Sequence, residues 1–121
     1  MTDLGSSKSW PSATTINFAT FQDNCSINFF CNFTTIYAKY CDGSSFSSAR
    51  EGAVLGPNGT HLFMRGAAIR DAIVRDVVRR HGMGRSPSGP SDILVGGCSA
   101  GGMASILHAD AVRAVIEDEI G

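Results

Sequence analysis

The stretch Ile93-Leu94-Val95-Gly96-Gly97-Cys98-Ser99-Ala100-Gly101-Gly102-Met103 constrains this chain more than any other. Three branched apolar residues run into a serine flanked by glycines, and residues 102–116 then carry apolar side chains at helical spacing. The pattern predicts a short buried strand over 92–97, a turn and a helix. Gly97-Cys98-Ser99-Ala100-Gly101 fits G-x-S-x-G, which marks a nucleophile elbow when a strand precedes it and a helix follows. The chemistry accounts for the residue types. A serine hydroxyl is a weak nucleophile until a neighbouring base activates it. It must also stand clear of the backbone, which a sharp, strained turn achieves. Gly97 and Gly101 are expected where strand and helix pass closest. The Ala100 amide is expected to face a developing oxyanion, backed by the positive end of the helix.

The remaining segments suit an α/β architecture. Residues 66–81 predict the clearest helix, with Ile69, Ile73, Val74, Val77 and Val78 on one face. Arg70, Asp71, Arg75, Asp76, Arg79 and Arg80 fall on the other, which reads as a solvated face. Arg79, Arg80 and His81 suit the negative end of its dipole, and Gly82 is the expected stop. Residues 34–40 (T-T-I-Y-A-K-Y) predict a strand, 61–64 a short strand, 52–59 a loop or hairpin tip, and 1–15 and 84–91 loops. Strand, loop, helix, loop, strand, helix is the order of a parallel sheet with helices packed on it.

Composition narrows the class. A chain of 121 residues allows one domain, and 43% hydrophobic with 17% charged residues fits a globular protein. A net charge of −1 gives no basic footprint for nucleic acid. No apolar run approaches the ~20 residues needed to span a bilayer. There is no C-x-x-C, H-E-x-x-H or phosphate loop, so no metal or cofactor is expected. Cys25, Cys31, Cys41 and Cys98 allow up to two disulfides without fixing the pairing. Asn24-Cys25-Ser26, Asn32-Phe33-Thr34 and Asn58-Gly59-Thr60 fit N-x-[ST], which points to secretion, yet the first residues hold no apolar signal core.

Other polar residues are weighed against the same serine. His108 lies about 13 Å along the helix from its start, so it reads as structural rather than as the base. Asp110, Glu117, Asp118 and Glu119 meet the same objection, His81 belongs to its helix end and His61 to a loop. Asp42 ends a predicted strand, where ligands gather in open sheets, so Asp42 and Gly43 either line the site or close an Asx-turn. Cys98 is expected to be a buried filler of the turn rather than a redox switch.

In chain order, Leu4-Gly5-Ser6-Ser7-Lys8, then Tyr40-Cys41-Asp42-Gly43-Ser44-Ser45-Phe46-Ser47, Phe63-Met64-Arg65-Gly66, Gly97-Cys98-Ser99-Ala100-Gly101-Gly102 and Ile106-Leu107-His108-Ala109-Asp110 together resemble the pectin acetylesterase family. That family also contains Notum, the palmitoleoyl-protein carboxylesterase. The resemblance covers nearly the whole chain and is weakest over 18–33. It implies an α/β-hydrolase-like fold, of which 1–121 is the central portion with its elbow at 97–101. It also implies a secreted or cell-wall serine esterase that deacetylates polysaccharide, or deacylates a protein, through an acyl-enzyme. Ser99 is then the nucleophile and Ala100 one oxyanion amide. The family's G-G-W segment precedes Leu4, and its triad aspartate and histidine follow Ser99 well beyond Gly121. By that resemblance the chain is an internal fragment, expected to be inactive and unstable alone. Cys41-Asp42-Gly43 and Gly97-Cys98-Ser99 lean to the pectin side, and Ser7-Lys8-Ser9-Trp10-Pro11 to the protein deacylase. A non-catalytic relic of the fold is the reading from another class.

Overall fold

The computed structural model describes residues 7–16, 22–39, 41–87, 89 and 91–121. The motif residues Leu4-Gly5-Ser6 and Tyr40, the start of the loop expected over 1–15 and two positions of the loop expected over 84–91 lie outside them. The chain divides into two units, Met1–Lys39 and Tyr40–Gly121.

Among its described residues the first unit has one 3-10 turn, Ser7–Ser9, and is otherwise irregular. A Cys25–Cys31 disulfide closes its main turn. Inside that turn Asn28 is buried: its Nδ2 donates to the Gln22 carbonyl (2.7 Å) and its Oδ1 accepts from the Phe30 N–H (2.9 Å). Both ends of the amide are therefore satisfied, which offsets the cost of burying it. Phe30 packs edge-to-face between Phe29 and Phe33 at 5.4 Å. The strand expected over 34–40 is not formed among residues 34–39, which are mostly exposed. β-branched and aromatic residues favour a strand only where a neighbour completes the ladder.

The described residues of the second unit form two helices and a hairpin. Helix α1 is Gly66–His81 and helix α2 is Ala100–Ile120. Strands β1 (Val54–Leu55) and β2 (His61–Leu62) pair antiparallel around the tip Pro57–Gly59. His61 therefore sits in a strand rather than in a loop. Helix α1 stops as expected: Gly82 turns left-handed (φ 67°), and its N–H and that of Met83 fold back on the Val78 and Val77 carbonyls. Val74 and Val78 of α1 meet Val115 and Ile116 of α2 in the core, with Met83 and Val112 packed against it. The loop after α1 clasps the far end of α2, since Arg85 donates to the Glu119 carbonyl (2.9 Å).

The contacts fix the sense of the helices. Arg70 meets His108, and further along α1 Arg75 meets Asp118 and Glu119, so α1 and α2 run the same way. The chain must then return along α2, about 30 Å at 1.5 Å per residue, before it reaches Ser99. A strand feeding a helix in a βα unit follows such a path. The strand expected over 92–97 is nonetheless unformed, and 91–99 are exposed. A strand needs a partner for its N–H and C=O groups, and no described residue supplies one. The described residues thus hold no parallel sheet.

Candidate active site

Ser99 occupies the position before α2 with φ 54° and ψ −121°. This is a left-handed backbone for a residue with a β-carbon, a state that costs about 1–3 kcal/mol. The helix starts immediately: the Ser99 carbonyl accepts from Met103 N–H (3.1 Å), and the Cys98 carbonyl from Gly101 N–H (2.9 Å). Ser99 is exposed, and Ala100 is the first residue of α2, where helix N–H groups lack intrahelical acceptors. The turn closes because Gly97 has no side chain. A β-carbon there would lie 2.3 Å from the Gly101 carbonyl carbon and oxygen. At Gly102 it would lie 3.1 Å from the Gly97 carbonyl oxygen, while at Gly101 it would meet nothing within 4 Å. The crowding falls on Gly97 against the backbone of Gly101 and Gly102.

Asp42 is held in a closed network of hydrogen bonds. Its Oδ1 accepts from Ser44 N–H (3.1 Å), the Asx-turn arrangement, and its Oδ2 accepts from the hydroxyls of Ser44 (2.5 Å) and Ser48. Ser48 Oγ in turn accepts from Gly66 N–H (2.9 Å), the first residue of α1. A β-carbon on Gly66 would stand 2.2 Å from Asp42 Oδ2, so only glycine lets the carboxylate reach the positive end of that helix. Burial of Asp42 raises its pKa, but the hydrogen bonds from Ser44, Ser48 and Gly66 outweigh this and hold the carboxyl below its ordinary value. Gly43, beside it, is exposed with φ 69°.

His108 ties this loop to α2. Arginine only donates, so His108 Nδ1 accepts from Arg70 Nη1 (3.1 Å) and Nε2 carries the proton. Nε2 then donates to the Ser45 carbonyl (2.9 Å), with Ser47 Oγ at 3.1 Å. Both ring nitrogens are committed, and Ser45 and Phe46 are held left-handed at φ 52° and 61°. Sequence reasoning missed this tie because it joins residues far apart in the chain. It also missed that Arg70 turns inward, its side chain only 15% exposed. The Asx-turn was legible in Asp42-Gly43-Ser44; the part of Ser48 was not.

Among the described residues, Ser99 Oγ has no histidine or carboxylate partner, and no group of three His, Cys, Asp or Glu side chains could hold a metal ion. Cys98 is exposed and free, not the buried filler expected, because no strand among the described residues covers the turn; Cys41 is also free.

Comparison with known proteins adds a family to this geometry. A family model described as pectinacetylesterase matches residues 1–120. The chain is 35% identical over 113 residues to pectin acetylesterase 5 of Arabidopsis thaliana, covering 93% of this chain and 25% of that protein. It is 40% identical over 87 residues to pectin acetylesterase 7 of the same plant, covering 72% of this chain and 20% of that protein. Pectin acetylesterase 11 matches at 36% over 88 residues, again 72% and 20%. The chain thus spans about a fifth to a quarter of the length of these relatives. No solved structure matches it.

Proposed function

This chain belongs to the pectinacetylesterase family, and from that premise we propose that it is the nucleophile-bearing segment of a carboxylic-ester hydrolase acting on acetylated cell-wall polysaccharide. The observation that carries the reading is the backbone of Ser99: a strained, exposed serine at the start of a long helix, in a turn that only Gly97 permits. The matched relatives are named as pectin acetylesterases, and nothing in the geometry favours a protein deacylase over them. A relic would have no use for the strain at Ser99.

The chemistry follows from the parts. Ser99 Oγ attacks the acetyl carbonyl carbon and gives its proton to a base. The carbonyl oxygen becomes an oxyanion facing the Ala100 N–H, where the helix dipole adds a fixed positive potential. Collapse breaks the ester C–O bond, the sugar hydroxyl leaves with a proton, and water then releases acetate from the acyl-serine. His108 is not the base in this scheme, because both its nitrogens serve the Ser45–Arg70 tie. The base, its orienting carboxylate and a second oxyanion donor come from polypeptide beyond these 121 residues, so residues 1–121 alone are inactive. Together they form one partial α/β-hydrolase-like domain, its parallel sheet completed by strands from outside. The enzyme is secreted to the cell wall, where its substrate lies. No helix among the described residues is long and apolar enough to cross a membrane.

The test uses the full-length protein. A fluorophosphonate should label Ser99, and Ser99→Ala should abolish labelling and cut acetate release from acetylated pectin by about 10⁴–10⁶-fold. A folded, unlabelled protein that releases no acetate would instead establish the relic.

A further inference from the structure

We infer that Asn58 carries an N-linked oligosaccharide, an inference that rests on the proposed secretion of the enzyme. Three sequons occur in the chain, and the structure sets them in different surroundings. Asn58-Gly59-Thr60 caps the β1–β2 hairpin, where residues 57–60 are all exposed. The tip is closed beneath by the Gly56 N–H donating to the Thr60 carbonyl (2.7 Å). Asn58 and Gly59 are successive left-handed residues (φ 64° and 73°), a conformation asparagine and glycine tolerate best. The middle position is glycine, the residue that most readily reshapes when a transferase must grip the segment.

The other two sequons are bound up with the disulfide. Cys25 is itself the middle residue of Asn24-Cys25-Ser26, and Asn24 Oδ1 already accepts from the Ser26 N–H (3.0 Å). Asn32 directly follows the second half-cystine, Cys31. Once that bridge closes, neither segment can reshape without straining it. Asn58 has no such tether.

The modification balances with one co-reactant, an oligosaccharide carried on a lipid pyrophosphate. The Asn58 amide nitrogen attacks the anomeric carbon, and a C–N bond forms. The anomeric C–O bond breaks, the lipid pyrophosphate leaves with the electron pair, and the amide gives up one proton.

The experiment takes the protein from its own cells, recording whether it lies outside or inside them, and maps tryptic peptide 51–65. Treatment with a peptide N-glycosidase in heavy-oxygen water should convert Asn58 to an oxygen-labelled aspartate in most molecules. An untreated control is needed because Asn58-Gly59 also deamidates unaided. Thr60→Ala keeps Asn58-Gly59 and the turn but removes the sequon hydroxyl, so it should lose the label and migrate faster, as should Asn58→Gln. A secreted protein whose peptide 51–65 is unmodified, or whose glycan sits only on Asn24 or Asn32, overturns the inference and leaves the esterase reading intact. A protein retained in the cytosol with bare Asn58 overturns both the inference and the proposed secretion.

Discussion

At Gly97 a single methyl group decides whether the elbow can form. The added carbon would sit 2.3 Å from the backbone of Gly101, which is anchored in α2 and cannot swing aside like a flexible side chain. Gly97→Ala is expected to destabilise the protein by about 1–3 kcal/mol, as overpacking does, and to lower activity by moving Ser99. Gly101→Ala, whose new carbon meets nothing within 4 Å, should change stability by less than about 1 kcal/mol. Denaturant titration of the two variants checks this, and equal losses would contradict the geometry. Asp42 poses the same kind of question with charge. Its folded pKa lies below the ordinary value of 3.8, so its carboxylate stabilises the fold above that pH. That contribution disappears as pH falls through the lowered value. Asp42→Asn keeps an acceptor for one donor but presents an NH₂ to a hydroxyl, and should cost about 1–3 kcal/mol at neutral pH. Stability curves at neutral and acid pH should converge for wild type and variant; a constant gap would place the loss in packing instead.

Between elements, the main polar link is Glu119 of α2. It accepts from Arg75 at 2.6 Å and from Arg79 at 2.7 and 2.8 Å. These hydrogen bonds, Arg79 first and Arg75 second, bring its pKa from 4.5 to about 2. A carboxylate depressed in this way contributes fully above pH 4.5 and loses its contribution on the way down to about 2. Glu119→Gln should therefore flatten the melting temperature against pH in that window, and high salt should reduce the difference between variant and wild type. An unchanged acid limb would mean that the arginines are not holding the carboxylate. This clasp marks what a sequence can and cannot say. The bounds of α1 and its Gly82 stop were legible because periodicity and capping are local. The polar face of α1 looked solvated, yet Arg70 and Arg75 turn to α2, since the partner that draws them lies some forty residues on. The tight turn at Ser99 was legible because small residues at fixed offsets suit a close backbone approach, as at Gly97 against Gly101. The His108 tie was not, because nothing near His108 in the chain hints at Ser45 or Arg70.

For the whole molecule, the running sense of the helices and the exposure of 91–99 point to one conclusion. Two helices that run the same way require a return path between them, and residues 91–99 end it at the turn before α2. Ile93, Leu94 and Val95 on that path are exposed, as are Met103, Ile106 and Leu107 on the first turns of α2. Large apolar side chains left exposed in this number suit a surface that another piece of polypeptide covers. The chain spans only a quarter of the first relative named above, which leaves ample polypeptide in such an enzyme to supply flanking strands. The sequence predicts a strand at 92–97, and it fails to form here because a ladder is a property of two segments and no described residue supplies the second. In the full-length protein the amides of 93–96 should then exchange with deuterium slowly, as amides within a sheet do. The same amides in a chain of residues 1–121 should exchange fast, while 74–78 of α1 stay comparatively protected in both. Mass spectrometry of the two proteins side by side reads this directly. Fast exchange at 93–96 in the full-length enzyme would mean that the elbow is reached by a loop, and the strand-turn-helix support for Ser99 as nucleophile would fall with it.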